Sequence, residues 1–197
     1  MTATTWSLLP CFFLAAAAGV HGAPLPRPAR VVAAAVETPP QLDGDLSDAA
    51  WQAAGWVAGF SVLDQPTRAA DPPTRFKVVF DRDFLYFAVE CAEPEMPALR
   101  AECRQRDGRV TDDDCVEFMV DPTGERVEYY HFAVNSIGTQ YDAQMRQGGN
   151  VRSVAWDCSW RAAVRRERDK WCVEAAIPFV ALGLSAKSAG TWAVNVA

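Results

Sequence analysis

Arg75-Phe76-Lys77-Val78-Val79-Phe80-Asp81-Arg82-Asp83-Phe84-Leu85-Tyr86-Phe87-Ala88-Val89-Glu90 sets the fold class. Phe76, Val78 and Phe80 fall on one side of an extended chain, and Arg75, Lys77 and Val79 on the other. A period of two is the signature of a half-buried strand. Asp81-Arg82-Asp83 is a tight turn, and Phe84–Glu90 returns as a mostly buried strand. The same alternation recurs downstream. In Cys115–Val120, Val116, Phe118 and Val120 oppose Cys115, Glu117 and Met119. In Glu128–Asn135, Tyr130, Phe132 and Val134 oppose Tyr129, His131, Ala133 and Asn135. Further strands are predicted at 30–36, 140–146, 156–166, 171–177 and 192–196. Residues 64–73 read as loop. Ser47 is expected to cap a short helical turn that plants Trp51 in the core, and Pro178 to start another. About nine short strands with almost no helix predict an all-β protein, an antiparallel β-sandwich of jelly-roll type. A doubly wound sheet is excluded, because no stretch has room for crossover helices of about 10–12 residues.

The 197 residues suit one domain plus a leader, and half of them are apolar. The net charge of -6 and pI near 4.9 argue against nucleic acid, whose phosphates need a basic face, and against an anionic membrane surface. Trp6–Val20 is an apolar run followed by small residues up to Ala23. It is shorter than the ~20 residues that span a bilayer, so residues 1–23 read as a signal peptide. Pro- and Arg-containing residues 24–30 read as a linker, and 31–197 as the sandwich, incomplete at its C-terminal edge. The expected location is secreted or periplasmic, with no membrane attachment once the leader is gone. Five cysteines (Cys91, Cys103, Cys115, Cys158, Cys172) remain, in spacings that match no zinc motif.

Four segments in series carry a family resemblance. They are Leu42-Asp43-Gly44-Asp45-Leu46 with Ala50-Trp51; Val79–Tyr86; Asp114–Pro122; and Trp171–Phe179 with Trp192–Asn195. In order and spacing they resemble the family 9 carbohydrate-binding modules. The resemblance implies a non-catalytic β-sandwich that binds oligo- or polysaccharide beside a glycan-degrading enzyme, with calcium supporting the fold. Glu117 and Asn135 fall on the family's sugar-binding positions. A sandwiching Trp of the family falls on Thr111, a sugar-binding Arg on Ala133, and an amide on Ala197. The chain therefore departs from the family pattern at half of the site.

The residues themselves give a compatible list. Glu117, Asn135, His131, Tyr129 and Glu174 all face away from the apolar side of their strands. They would form one polar, hydroxyl-binding patch if those strands were neighbours. Trp156 is the candidate stacking ring. Asp112 and Asp113, and the turn residues Asp81 and Asp83, offer oxygen to a hard cation such as calcium; acidic loops also serve as strand caps. His131 is the lone histidine after the leader and no Gly-x-Ser-x-Gly elbow exists, which argues against a hydrolytic triad. Two other readings stand: a structural or adhesion sandwich without a ligand, and a haem b domain using Met119 or Met145 with His131.

Overall fold

The computed structural model describes residues 6–9, 30–184 and 190–197. Thirteen strands follow in order: β1 Trp6–Leu9, β2 Val31–Ala35, β3 Ser61–Val62, β4 Gln65–Ala69, β5 Thr74–Phe80, β6 Phe84–Ala92, β7 Cys115–Asp121, β8 Tyr129–Asn135, β9 Gln140–Arg146, β10 Val151–Ser153, β11 Arg161–Arg166, β12 Lys170–Pro178 and β13 Thr191–Val196. Ten of them make two five-stranded layers, ordered β10-β9-β8-β7-β13 and β2-β5-β6-β12-β11, and β1 lies between β13 and β2. Pairing is antiparallel except for β1 with β13 and β2 with β5. The predicted all-β sandwich is the observed fold.

Alternation builds the interior. Phe76, Val78 and Phe80 of β5, Leu85, Phe87 and Val89 of β6, and Val173, Ala175 and Ile177 of β12 meet Val116, Phe118 and Val120 of β7, Phe132 and Val134 of β8, and Trp192, Val194 and Val196 of β13. Phe87 and Phe118 touch across the two layers, with ring centroids 4.8 Å apart. Each buried Val, Leu, Ile or Phe among them contributes about 1.5–3 kcal/mol.

Both outer faces are partly roofed. Residues 42–54 lie over the β5-β6-β12 layer, where Trp51 packs on Val79, Tyr86, Ala88 and Ala176. Gly44 is needed in this roof: its φ is +81°, and a Cβ there would sit 2.5 Å from the Arg165 Cβ. On the other layer, Val110 packs on Ala133, Tyr141 and Ala143.

Three local expectations change. Residues 61–69, inside and beside the predicted loop, form the β3–β4 hairpin, an exposed polar ribbon with no core face to announce it. The turn that carries Trp51 is Ala49–Ala53, preceded by Asp48 and without a side-chain cap; the Ser47 N–H instead donates to Asp45. The strand predicted from Trp156 begins at Arg161. Of the predicted signal peptide and linker, residues 1–5 and 10–29 lie outside the described residues, while Trp6–Leu9 is β1.

Candidate functional site

Sheet register decides which outward residues meet. Met119 pairs with His131, Glu117 with Ala133 and Cys115 with Asn135 between β7 and β8. His131 pairs with Ala143 and Tyr129 with Met145 between β8 and β9, and Asn195 pairs with Met119 between β13 and β7. Directly opposed residues on one face stand about 4.5–5.5 Å apart at Cβ. Glu117, Met119, His131, Tyr129, Met145 and Asn195 therefore share one outer surface, and all are half-buried.

At its centre, His131 Nε2 lies 2.5 Å from Glu117 Oε2. The side chains are 14% and 24% exposed, so the pair is fixed yet reachable. The Tyr141 ring meets the imidazole edge-on at 5.3 Å, holding it upright. Asn195 Nδ2 donates to Met119 Sδ at 3.4 Å, a weak contact that leaves its carbonyl oxygen unengaged by that bond. The surface thus offers a carboxylate, an imidazole, an amide and the Tyr129 ring, the mixture of polar groups and flat apolar area that holds a sugar. Thr111 is exposed on the Val110–Asp112 turn, which packs on this layer through Val110.

Asn135 shares the face but is buried beneath the roof. Its Nδ2 donates to the Cys103 carbonyl and to Asp113 Oδ2, each at 2.9 Å. Its Oδ1 accepts from the Thr139 and Ile137 N–H groups. With both ends of the amide committed, Asn135 ties the 100–114 roof to the β8–β9 turn. Glu174 does not join the patch. It sits on β12 of the other layer, fully buried, accepting from Asp43 N at 2.9 Å, Gly44 N at 2.7 Å and Trp51 Nε1 at 2.8 Å. Burial pushes its carboxyl above the usual range, against those hydrogen bonds. Trp156 is also elsewhere. Its ring meets Tyr130 at a tilt, with centroids 4.9 Å apart, and Phe132 edge-on at 5.9 Å, on the inward side of β8.

The acidic loops are structural. Asp81 Oδ1 accepts from the Asp83 and Phe84 N–H groups, and its Oδ2 from the Tyr86 hydroxyl at 2.7 Å. Buried Asp113 accepts from Glu102 N, Cys103 N and Asn135. Exposed Asp112 faces Arg109, and exposed Asp83 faces Arg82. Donors already engage the oxygens of Asp81 and Asp113, and among the described residues no three His, Cys, Asp or Glu converge. Asp81 and Asp113, whose oxygens are so committed, do not fit a calcium cage of six to eight oxygens, and Asp112 and Asp83 do not converge with other acids. Met119 and His131 stand side by side on the sheet face. A cleft of about 260 Å³ lies apart from them, between Arg104, Arg106 and the Ile137–Gln140 turn. The five cysteines named above are unpaired.

A second polar knot escaped the sequence reading. Buried Asp142 accepts from Arg106, from the Cys158 N–H and from Trp160 Nε1, and burial raises its carboxyl to about 6. Arg106 also holds Asp157 and the Cys158 carbonyl, which explains why Trp160 reaches the core without a strand beneath it. Asn195 was also missed, though alternation marks it: Trp192, Val194 and Val196 are buried, so Asn195 points out.

The fold defines a class, the two-layered antiparallel β-sandwich with open sheet faces. The chain belongs to the family described as Carbohydrate family 9 binding domain-like, whose profile matches residues 42–196. Among solved structures, a carbohydrate binding module family 9 from Caldicellulosiruptor kristjanssonii is similar in fold. Its complexes with cellotriose and with glucose each give a TM-score of 0.51 at 18% identity over 72% of this chain. The chain spans 64% and 65% of the length of those two chains, just under two thirds. Comparison with curated proteins returned no match.

Proposed function

We propose that this protein binds carbohydrate on the outer face of β13, β7, β8 and β9 and performs no chemistry. The supporting observation is the Glu117–His131 pair, fixed by hydrogen bonding yet partly exposed beside Tyr129 and Asn195. Glu117 accepts from sugar hydroxyls, Asn195 donates and accepts, and Tyr129 supplies ring area. Membership of a carbohydrate-binding family and the sugars bound by its structural neighbours favour short glucans as the first ligands to try. The open face holds a sugar by a few hydrogen bonds of about 1 kcal/mol each. Affinity therefore falls in the micromolar to millimolar range. The apolar N-terminal run supports a secreted or periplasmic location, where such a module would serve a glycan-degrading enzyme.

Calorimetric titration with cellotriose, glucose and xylotriose tests this. Heat of binding that falls at least tenfold in Glu117→Gln and His131→Ala, with both variants folded, is expected. Equal binding by wild type and both variants would move the site elsewhere. No heat with any glycan would favour a structural or adhesion role.

A further inference from the structure

The Glu117–His131 face has a cationic margin. β10 runs beside β9 at the edge of this layer, and Arg152 pairs with Met145 in its register. Met145 in turn pairs with Tyr129, so Arg152, Met145 and Tyr129 form one row on the outer surface. Tyr141 pairs with Ala133 on the same face and meets the His131 ring edge-on at 5.3 Å. Its ring is buried beneath Val110, and the Arg152 guanidinium donates a hydrogen bond to its hydroxyl oxygen. Burial raises the phenol's pKa, and the adjacent guanidinium works against that rise. A chain of contacts therefore crosses four strands, from Glu117 through His131 and Tyr141 to Arg152. It has a carboxylate at one end and a guanidinium at the other.

Arg152 is exposed, yet the Tyr141 contact aims it along the face. Among the described residues no carboxylate pairs with it. The acids nearest Tyr141 are committed elsewhere: Asp107 to the Asp142 N–H and to Arg106, and Asp142 to Arg106 and Trp160. Neighbouring Arg146 turns to Gln144. The Tyr141 oxygen engages only part of a planar fork of donors. The remainder fits a carboxylate bidentately, and a lone hydroxyl less well. Neighbouring strands about 4.8 Å apart put Arg152 about 14 Å from Glu117 at the backbone, three strand spacings away and further than one sugar ring reaches. We propose that Arg152 is a specificity residue of the sugar face and that the ligand is an acidic oligosaccharide, with hydroxyls on Glu117 and Asn195 and a uronate carboxylate on the Arg152 guanidinium. Tyr141 is the positioning residue. The inference rests on the sugar-face reading and names the class of sugar that face takes. Glu117 repels a carboxylate at its own end, so the acid group lies toward β10 and the ligand binds in one direction.

Calorimetry on the full chain tests this with three probes: cellobiose, and the two cellobioses that carry a C6 carboxylate on one ring or the other. At low salt, wild type should bind one of the acids about three- to tenfold tighter than cellobiose. Raised salt should shrink that ratio. Arg152→Gln should bring it to about one, and Arg152→Lys should keep only part of it, because an ammonium lacks the fork. Tyr141→Phe should lower it although the charge remains. Arg168→Gln removes another exposed cation, from the turn between β11 and β12, and should leave the ratio as in wild type. A wild-type ratio of one for both acids, with cellobiose still bound, would overturn this inference and leave the sugar-face reading standing. A ratio that falls as far in Arg168→Gln as in Arg152→Gln would also overturn it, since net charge alone would then be the cause. No heat with any of the three probes would overturn both readings.

Discussion

Replacing Glu174 with Ala should unfasten the roof over the β5-β6-β12 layer while leaving the sugar face intact. Three donors converge on this one carboxylate: the Asp43 and Gly44 N–H groups and the Trp51 indole, at 2.9, 2.7 and 2.8 Å. Hydrogen bonds to a charged acceptor contribute about 1.5–3 kcal/mol each, and a buried donor left without a partner costs about 1–3 kcal/mol. The Asp43 N–H lies on an exposed residue and finds water. Gly44 and Trp51 are buried, and their donors do not. Against this, desolvation of the carboxylate already takes back part of the gain, as its raised pKa records. The balance is a loss of about 3–5 kcal/mol, the range for breaking one side of a buried charged network. At roughly 2–4 °C per kcal/mol for a domain of this size, the melting midpoint should drop by about 6–20 °C. Urea unfolding followed by tryptophan emission gives the free energy, and circular dichroism the midpoint. A loss below about 1 kcal/mol would refute the reasoning, as would weakened sugar binding in a variant still folded at the assay temperature.

Asp142, with its carboxyl raised to about 6 by burial, holds its proton to higher pH when folded than when unfolded. Stability contributed by this group is therefore greatest in acid and falls as pH rises from about 4 to about 6; Asp142→Asn should flatten that slope in melts recorded across the window. Asn135→Ala removes four hydrogen bonds under the roof and should cost about 2–4 kcal/mol by urea unfolding, with exchange accelerated at residues 102–103. Trp156→Ala should cost about 3–5 kcal/mol at most, through lost contact with Tyr130 and Phe132, and leave the glycan dissociation constant within twofold by calorimetry.

Alternation made the layers legible. Each inward residue of β5, β7, β8 and β13 follows from a period of two, because a strand side chain has only two directions to point. The same rule placed Glu117, His131, Tyr129 and Glu174 outward, and there it stopped. Period names the face of a strand but not the sheet that contains it, so Glu174 was grouped with residues of the other layer. Nor does it reveal what lies above a face. Asn135 and Glu174 both point outward, yet residues 100–114 and 42–54 fold back over them and consume their hydrogen bonds. Trp156 was misplaced for a related reason: it enters the interior from an irregular segment anchored by Asp142 and Arg106, and no local pattern marks such an anchor. The Asp81 and Asp113 carboxylates show the ambiguity of acidic loops, where turn-capping and cation binding call for the same residues.

Chemical-shift mapping on isotopically labelled protein tests the sugar-face account most directly. Titration with cellotriose should shift the resonances of Glu117, His131, Tyr129 and Asn195 in fast exchange, and leave those of Glu174, Trp156 and Asp81 in place. Shifts clustered around the Arg104–Arg106 cleft or Trp156, or none at millimolar sugar, would contradict it.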